Sequence, residues 1–509
     1  MSEADTIAKL VLRGEASAPA IGAPGREPFR YGALRSWIEG TTRALNAMGL
    51  GRGDRVGIVL PNGPEMASAF LLVASAATAA PLNPAYRHDE FDFYLSDLNA
   101  KTLLILAGME SPAREVAARR QIPIVEVEVD PSKPAGEFSL KPYAAKSEPT
   151  SHGVASTPND IALVLHTSGT TARPKIVPLN HRNVTASAVN IGKTLQLTPS
   201  DVCLNIMPLF HIHGLIGAVL SSIGVGASVS CTPGFDALKF FRWYADVNPT
   251  WYTAVPTMHQ AILMRAARHT DVIAKGRLRF IRSSSAALPP QVMNELEQVF
   301  KAPVLESYGM TEAAHQMASN PLPPARHFAG SVGIASGPEI AIMNDAGDLL
   351  KANDIGEVAI RGRDVFNGYE NNPEANAKSF TNGWFRTGDQ GYLDDAGYLR
   401  LTGRLKEMIN RGGEKVSPIE VETALLDHPQ VAQAVAFAMP HPMLGEEVAA
   451  AIVLHEGMTA NEHELREFVS ARLAQFKVPR KLVFLDAIPK GPTGKPQRIG
   501  LAKVLGLDK

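Results

Sequence analysis

The chain has 509 residues, which is too long for one hydrophobic core and predicts several subdomains. Its 50 basic and 51 acidic residues leave a formal net charge of -1, which gives no basis for binding nucleic acid or a membrane through bulk charge. Two cysteines, Cys203 and Cys231, are too few for a disulfide framework or a zinc site made of several cysteines, and they favour a reducing compartment.

Targeting signals are not evident in the sequence. Residues 1–12 lack the apolar core of a secretory signal, and the final Gly-Leu-Asp-Lys is not a peroxisomal address. The apolar stretch 67–80 is too short to span a bilayer and is predicted to be a buried helix. We therefore expect a cytoplasmic protein with no membrane partner.

Helix-like and strand-like segments alternate through the first part of the chain. Apolar residues recur every three to four positions over 34–48, which predicts a helix that ends at Gly49. A helix is also predicted at 289–300, and short apolar runs predict strands at 56–60, 103–106, 124–127, 161–165, 251–255, 278–281 and 304–306. Strands that alternate with helices favour an α/β fold with doubly wound, parallel sheets.

The pattern changes after residue 339. Turn sequences at 344–347 and 394–397 predict β-hairpins, and hence a β-rich subdomain. Helices predicted at 419–426 and 462–473 then indicate a small α+β segment. We therefore predict a large N-terminal domain over residues 1–404 and a small C-terminal domain over residues 405–509.

Small hydroxyl residues and glycine form a loop between residues 165 and 175. Backbone N–H groups can approach phosphate oxygens closely where side chains are small, and a lysine adds a point charge. The candidate phosphate-binding residues are Thr167, Ser168, Gly169, Thr170, Thr171 and Lys175. The Gly-Lys-Ser/Thr ending of a Walker loop is missing, and for this loop alone a polar surface turn is an interpretation of equal weight.

A second motif follows the strand predicted at 304–306. Tyr308 offers a ring that can stack on a purine, and Thr311 and Glu312 offer oxygen ligands of the kind that Mg²⁺ prefers. A threonine before a glutamate is also an ordinary strand-to-helix cap, so this motif alone is a weak signal.

Charged residues and glycines on turns continue towards the C-terminus. Asp389 lies at a strand edge, where a carboxylate can accept both hydroxyls of a ribose, although a turn aspartate is the simpler interpretation. A surface lysine is usually only solvated, but one on a loop rich in glycine and proline can swing into a site. The remaining candidates are Arg404, Lys406, Gly412, Gly413 and Lys495.

Together and in this order, the motifs resemble those of the adenylate-forming superfamily, which includes acyl-CoA synthetases, luciferases and peptide-synthetase adenylation domains. The resemblance covers essentially the whole chain, from the helix at 34–48 to Lys495. It implies a large region that binds ATP and a carboxylic acid, and a small mobile domain that rotates between two half-reactions. It also implies that Mg²⁺ and CoA take part and that the acid is activated as an acyl-adenylate.

The resemblance implies a role for each nucleotide-site residue. The loop 167–171 and Lys175 would embrace the β- and γ-phosphates, and Thr311 would contact the α-phosphate. Glu312, together with Thr167, would hold Mg²⁺. The adenine and the ribose would be held by Tyr308, Asp389 and Arg404.

The resemblance also implies roles in the domain movement and at the acyl site. Lys406 would be the hinge, and Lys495 would bridge the acid and the α-phosphate in the first step. Gly412 and Gly413 would line the channel for the pantetheine arm of CoA in the second step. His211 would gate the acyl site.

The segments that would build the acyl pocket are unusually polar. Histidines and serines occur at 210–214, 282–285 and 315–319, where a fatty-acid tunnel needs apolar walls. These segments resemble those of oxalate–CoA ligases, which implies that His213, Ser285 and His315 contact the distal carboxylate of oxalate. For either histidine taken singly, a hydrogen-bonded core residue is the favoured interpretation, and a zinc site is less favoured because no third ligand is evident.

Other functions stay open. Within the same chemistry the acid could be a short- or medium-chain fatty acid, malonate or an aryl acid. An adenylation enzyme that loads a separate carrier protein is a further alternative, and a non-catalytic nucleotide binder is disfavoured by the intact Lys175, Glu312 and Lys495. A dinucleotide dehydrogenase is disfavoured because no Gly-x-Gly-x-x-Gly follows an early strand. The sequence sets no oligomeric state.

Overall fold

The computed structural model describes residues 4–141, 156–167, 174–489 and 498–508. Seven strands near the N-terminus form a mostly parallel sheet. Their order across the sheet is Ser139–Lys141, Ile124–Glu128, Thr102–Leu106, Arg55–Val59, Thr78–Pro81, Ile161–Thr167 and Lys175–Asn180. The central pairs are parallel and both outer pairs are antiparallel. The last strand therefore runs back beside the strand before it, and the two ends of the loop that joins them lie side by side.

Nine strands form a second sheet. Their order is Ile334–Ala335, His315–Ser319, Val304–Met310, Phe280–Ser283, Trp251–Ala254, Val202–Asn205, Ser228–Cys231, Pro19–Ala23 and Arg26–Arg30. The strands from Val304–Met310 to Pro19–Ala23 pair in parallel. Because parallel strands end at a common edge, the residues that follow them are brought together there.

Helices connect these strands and pack against both sheets. In chain order they are Ile7–Val11, Tyr31–Ala47, Pro64–Ala76, His88–Asp97, Pro112–Arg119, His181–Thr194, Ser221–Ile223, Phe240–Val247, Pro256–Ala266, Thr270–Ala274, Pro290–Phe300 and Pro373–Ser379. A π-helical turn, His213–Leu220, and a 3₁₀ turn, Thr311–Ala313, complete this part. The predicted helices at 34–48 and 289–300 are confirmed.

The prediction of one helix over 67–80 is wrong at its end. The helix Pro64–Ala76 is buried on every side except at Glu65, and it contacts strands of both sheets. Residues Thr78–Pro81 form a strand that is also fully buried. A buried helix and a buried strand share one apolar signature, so hydrophobicity could not place the boundary.

A third sheet is antiparallel and forms the β-rich subdomain that the sequence predicted. It contains Glu339–Met343, Gly356–Arg361, Trp384–Leu393 and Phe380–Thr381, and Leu399–Arg404 pairs with Trp384–Leu393. The turn at 394–397 closes the last pair as a tight hairpin. The turn at 344–347 opens a longer connection, which leads to the strand Gly356–Arg361.

The C-terminal strands form a sheet of their own. Their order is Glu414–Val416, Ile409–Arg411, Gly445–Leu454 and Val431–His441, with Lys481–Phe484 parallel to Gly445–Leu454. The helices Pro418–Leu426, Glu462–Ser470 and Leu501–Val504 and the 3₁₀ turn Gln475–Lys477 complete this part. Its main core is drawn from residues 409–482 alone. A separate α+β C-terminal domain is therefore present, while its start at residue 405 stays a prediction.

Two side-chain hydrogen bonds between described residues join helices of the large domain to the small one. The Gln260 side-chain amide donates to the Ala432 carbonyl oxygen at 3.1 Å, and the Gln291 amide donates to Asp427 Oδ1 at 2.5 Å. Among the residues that the structure describes, none of the helices is both long and apolar enough to cross a membrane.

Candidate active site

Thr167 and Lys175 frame the loop that the sequence singled out. Thr167 ends the strand Ile161–Thr167, Lys175 begins the strand Lys175–Asn180, and the two residues are direct partners across the antiparallel pair. Both ends of the loop therefore lie at one point of the sheet edge. The other candidates of this loop, and the C-terminal lysine, lie outside the described residues; they are Ser168, Gly169, Thr170, Thr171 and Lys495.

Lys175 lies against an aromatic ring and near a carboxylate. Its Nζ atom is 4.2 Å from the centroid of the Tyr369 ring. Burial lowers the pKa of Lys175, the nearby Glu312 carboxylate acts in the opposite direction, and Lys406 lowers the pKa further. The structure thus brings Lys175 and Glu312 together and places the predicted hinge residue, Lys406, within electrostatic reach of Lys175.

Glu312 is a buried carboxylate held by its neighbours. It follows the strand Val304–Met310 in the turn Thr311–Ala313, which starts at the half-buried Thr311. The Tyr369 hydroxyl donates to Glu312 Oε1 at 2.7 Å. Burial raises the pKa of Glu312, while the hydrogen bond from Tyr369 and the cations Arg404 and Lys175 lower it. A cation bound here would favour the ionised form.

Tyr308, Asp389 and Arg404 form one hydrogen-bonded group. The Tyr308 hydroxyl donates to Asp389 Oδ2 at 2.5 Å, and Arg404 Nε donates to Oδ1 at 2.9 Å. Asp389 and Arg404 are also direct partners on neighbouring strands. Each carboxylate oxygen can accept more than one hydrogen bond, so Asp389 keeps acceptor capacity for further hydroxyl groups.

Gly412 and Gly413 form the turn between two strands of the C-terminal sheet. Their φ angles are 59° and 97°, a region that favours glycine. A Cβ atom on Gly412 would lie 3.0 Å from Leu444 Cδ2, whereas one on Gly413 would meet nothing within 4 Å. The described contacts do not link these glycines to Glu312 or Lys175, so their part in a CoA channel stays a prediction.

Three residues that are far apart in sequence form the candidate acid pocket. His213 begins the π-helical turn, Ser285 follows the strand Phe280–Ser283, and His315 begins the strand His315–Ser319. His213 Nδ1 lies 3.0 Å from Ser285 Oγ, and the two imidazole rings stack with their centroids 4.9 Å apart. The three side chains that the sequence analysis assigned to the acid pocket are thus in contact through His213.

His211 lies two residues before this cluster. Its carbonyl oxygen accepts a hydrogen bond from Leu215 N–H at 3.1 Å, and its ring lies 4.9 Å from that of Phe210. It is therefore anchored at the entrance to the π-helical turn that carries His213. Its gating role stays a prediction.

The backbone at the acid pocket adopts unusual conformations. Ser285 has φ 75° and His315 has φ 108°, where residues with a Cβ atom are strained. Two glycines leave the space that His315 needs. A Cβ atom on Gly217 would lie 2.6 Å from His315 Nε2, and one on Gly309 would lie 1.9 Å from the His315 carbonyl oxygen. Backbone strain of this kind clusters at functional sites.

Arg282 is a residue of this pocket whose role the sequence did not reveal. It is completely buried, and its Nη1 and Nη2 atoms lie 3.1 Å from His315 Nε2 and 3.1 Å from Gln316 Oε1. Thr253 joins the cluster through its hydroxyl, 2.6 Å from His213 Nε2. The segment 282–285 was assigned to the acyl pocket for its serines, whereas an arginine next to the strand predicted at 278–281 equally fits a surface position.

Two family models and several named proteins match this chain. A family model described as AMP-binding enzyme matches residues 13–370, and one described as AMP-binding enzyme C-terminal domain matches residues 420–495. The chain is 46% identical over 486 residues to an oxalate–CoA ligase of Arabidopsis thaliana, covering 94% of each protein. It is 42% identical over 475 residues to an oxalate–CoA ligase of Saccharomyces cerevisiae, covering 89% of this chain and 87% of the other.

A solved structure agrees with this result. ATP-bound MatB from Rhodopseudomonas palustris has a TM-score of 0.88 against this chain at 29% identity, with 99% of both chains covered. The fold of this chain, including its C-terminal domain, is thus that of a protein solved with ATP bound. The chain belongs to the AMP-binding enzyme family, the adenylate-forming superfamily that its motifs predicted.

Proposed function

We propose that the protein is an ATP-dependent acid–CoA ligase and that its acid is oxalate. In the first step an oxygen of the acid's carboxylate bonds to the α-phosphorus of ATP, the bond from that phosphorus to the bridging oxygen breaks, and diphosphate leaves. In the second step the CoA thiol gives its proton to water and its sulfur bonds to the carbonyl carbon; the bond from that carbon to the phosphate oxygen breaks, and AMP leaves. A free carboxylate would have to expel oxide, so adenylation supplies the leaving group that the thioester step needs.

The nucleotide would lie between the two groups described above. Lys175 would face the phosphates and Asp389 with Arg404 would face the ribose hydroxyls; Glu312 supports this arrangement, because it lies within electrostatic reach of both Lys175 and Arg404. Carboxylate and hydroxyl oxygens such as those of Glu312 and Thr167 are the ligands that Mg²⁺ prefers, so the donor set fits that ion. When bound, Mg²⁺ would offset negative charge on the phosphates.

The domain movement is also part of the proposal. Residues 1–404 would bind ATP and acid, residues 405–509 would rotate about Lys406, and Lys495 would face the site only in the first step. The two half-reactions need different donors around one carbonyl, which a rotating domain can supply. We further propose a cytoplasmic location, in keeping with two buried cysteines that are not paired in a disulfide.

The polar cluster carries the choice of oxalate. His213 and His315 lie within hydrogen-bond distance of a buried arginine and Ser285 contacts His213, where an enzyme for fatty acids needs an apolar wall. Hydrogen-bond donors that are desolvated and unpaired are costly, so this pocket fits an acid whose distal end is polar and small. Two relatives, 46% and 42% identical to this chain, carry the name oxalate–CoA ligase, and a third, 45% identical, is named a probable CoA ligase without a stated acid.

A panel of acids tests the proposal. AMP release would be measured with oxalate, malonate, acetate, hexanoate and benzoate, each with and without CoA. We expect oxalate to give the highest kcat/KM and the release to depend on CoA. A preference for hexanoate would reject oxalate as the substrate but not the ligase assignment. AMP release at the same rate with and without CoA would reject the ligase assignment.

Tyr369 should support the nucleotide site through its hydroxyl. Tyr369→Phe removes the hydrogen bond to Glu312 and leaves the ring beneath Lys175 in place. A hydrogen bond to a charged group contributes about 1.5 to 3 kcal/mol, so we expect the KM for Mg-ATP to rise roughly tenfold to a hundredfold. The KM for oxalate should change little. In the control Tyr398→Phe, which loses a surface hydrogen bond to the Arg326 carbonyl, both constants should stay as in the wild type; a Tyr369→Phe enzyme with an unchanged KM for Mg-ATP would contradict the role.

A further inference from the structure

Arg282 is a buried cation for which the described residues provide no anion. It lies in the strand Phe280–Ser283 and has no exposed surface, and none of the carboxylates in the described part of the chain forms an ion pair with it. The acidic residue on the neighbouring strand, Glu306, is the partner of Ser283 rather than of Arg282. Since successive side chains of a strand point to opposite faces, Glu306 faces away from Arg282. An ionised group buried without a counter-charge is strongly unfavourable, so this arrangement calls for an anion from outside the described chain.

Arg282 and Thr253 set the hydrogen-bond roles of the two histidines. A guanidinium group has only donors, so His315 Nε2, which lies 3.1 Å from Nη1, accepts, and neutral His315 carries its hydrogen on Nδ1. Nη1 lies 3.4 Å from both His213 Nε2 and Thr253 Oγ1, and these two atoms are 2.6 Å apart. We assign the Thr253 hydroxyl as the donor to His213 Nε2, and in this arrangement His213 donates from Nδ1 to Ser285 Oγ at 3.0 Å.

Ser285 ends this chain of donors. Because its oxygen already accepts from His213, its hydroxyl hydrogen can donate to another acceptor, and no second partner occurs for it among the described residues. Ser285 is half-buried at the end of the strand, whereas Arg282 lies behind it in the interior. The direction of the hydrogen bonds thus runs from the guanidinium towards the mouth of the pocket.

We propose that Arg282 is the positioning residue that makes this pocket select an acid with an anionic distal group. It acts through His213, His315 and Ser285, which it holds as donors, and its charge is balanced only when a second carboxylate binds. This inference rests on the proposed function and narrows it, since it requires a dicarboxylate rather than any small polar acid. Burial lowers the pKa of Arg282 to about 9, which leaves the guanidinium charged at neutral pH.

Oxamate provides the matched probe for this charge. It has the size and shape of oxalate, but a neutral amide replaces one carboxylate. We would measure kcat and KM for both acids by AMP release, in the wild type, in Arg282→Gln and in Arg282→Lys. Arg279→Gln is the control, because Arg279 lies on the same segment but is ion-paired with Asp201 at 2.8 Å and partly exposed.

In the wild type, oxalate should be preferred to oxamate by roughly a hundredfold or more in KM, the scale on which a buried charge recognises its partner. Arg282→Gln should lose most of this preference, because its KM for oxalate should rise while its KM values for oxamate and ATP stay within about threefold of the wild-type values. Arg279→Gln should keep the preference. Arg282→Lys should fall between, because an ammonium keeps the charge without the fork of donors.

Two results would overturn the inference. The first is a wild-type enzyme that accepts oxalate and oxamate equally, a result that does not depend on whether any variant folds. The second is an Arg282→Gln enzyme that keeps its preference for oxalate. These results differ from a failure of the proposed function. A wild type that prefers hexanoate to oxalate rejects oxalate itself, whereas a wild type that prefers oxalate and an Arg282→Gln enzyme that still discriminates reject only the role of Arg282.

Discussion

In a Lys495→Ala enzyme we expect adenylate formation to slow by roughly a hundredfold, because loss of one donor that stabilises developing charge costs about 3 kcal/mol. Thioester formation from preformed acyl-adenylate should keep most of its rate. The reason is that the lysine loop is proposed to face the site only in the first half-reaction. The two rates would be measured separately, as diphosphate release from acid and ATP and as AMP release from synthetic oxalyl-adenylate and CoA.

Lys503→Ala is the matched control for this experiment. Lys503 lies on the exposed side of the helix Leu501–Val504, in the same domain and with the same charge. Both half-reactions should proceed at the wild-type rate in that variant. Equal loss of both half-reactions in Lys495→Ala would argue against a rotating C-terminal domain.

His315→Ala should depress activity on oxalate far more than residual activity on acetate or butyrate. The ring contacts His213 and accepts a hydrogen bond from Arg282, so its removal leaves a buried cation with one acceptor fewer and takes a donor from the proposed carboxylate site. Hydrogen bonds to charged groups contribute about 1.5 to 3 kcal/mol, so we expect kcat/KM for oxalate to fall roughly tenfold to a hundredfold. The measurement is kcat/KM for each acid at saturating ATP and CoA.

A second variant separates chemistry from backbone strain. His315 has φ 108°, and asparagine tolerates positive φ better than alanine does. His315→Asn also keeps an N–H donor near the Nδ1 position, so it should retain more oxalate activity than His315→Ala. If His315→Ala kept its oxalate activity, the pocket assignment would be wrong, while the acid–CoA ligase assignment would survive.

The spacing of apolar residues predicted those helices and strands that are buried on one side only or whose ends carry turn residues such as glycine. The helix Tyr31–Ala47 shows an apolar face and stops near glycine, and the strand Ile161–Thr167 leads into a loop of small residues. The helix Pro64–Ala76 and the strand Thr78–Pro81 were merged because both are buried on all sides, so periodicity carries no information there. The π-helical turn at His213 was not predicted either, since no residue pattern specifies such a turn.

The candidate site divides in the same way. Local motifs singled out Lys175, Glu312 and Asp389 because each lies within a short, distinctive stretch of sequence. The hydrogen bond from Tyr369 to Glu312 joins residues 57 positions apart, and no local pattern predicts such a pair. The role of Arg282 depends on contacts with His213 and His315, which lie 69 and 33 positions away. Contacts of this length follow from the sheet topology rather than from any one segment.

The positive φ angles at Ser285 and His315 set a condition for engineering a heat-resistant form of this enzyme. Each such conformation costs of the order of 1 to 3 kcal/mol when a Cβ atom is present, and the Arg282 guanidinium, which forms no ion pair with a described carboxylate, adds a further cost. Directed evolution that rewards melting temperature alone would therefore accept glycine at 285 or 315 and a neutral residue at 282, and it would discard acid selectivity in the same rounds. Stabilising substitutions belong instead in surface turns away from the pocket, and every round of selection needs the acid present.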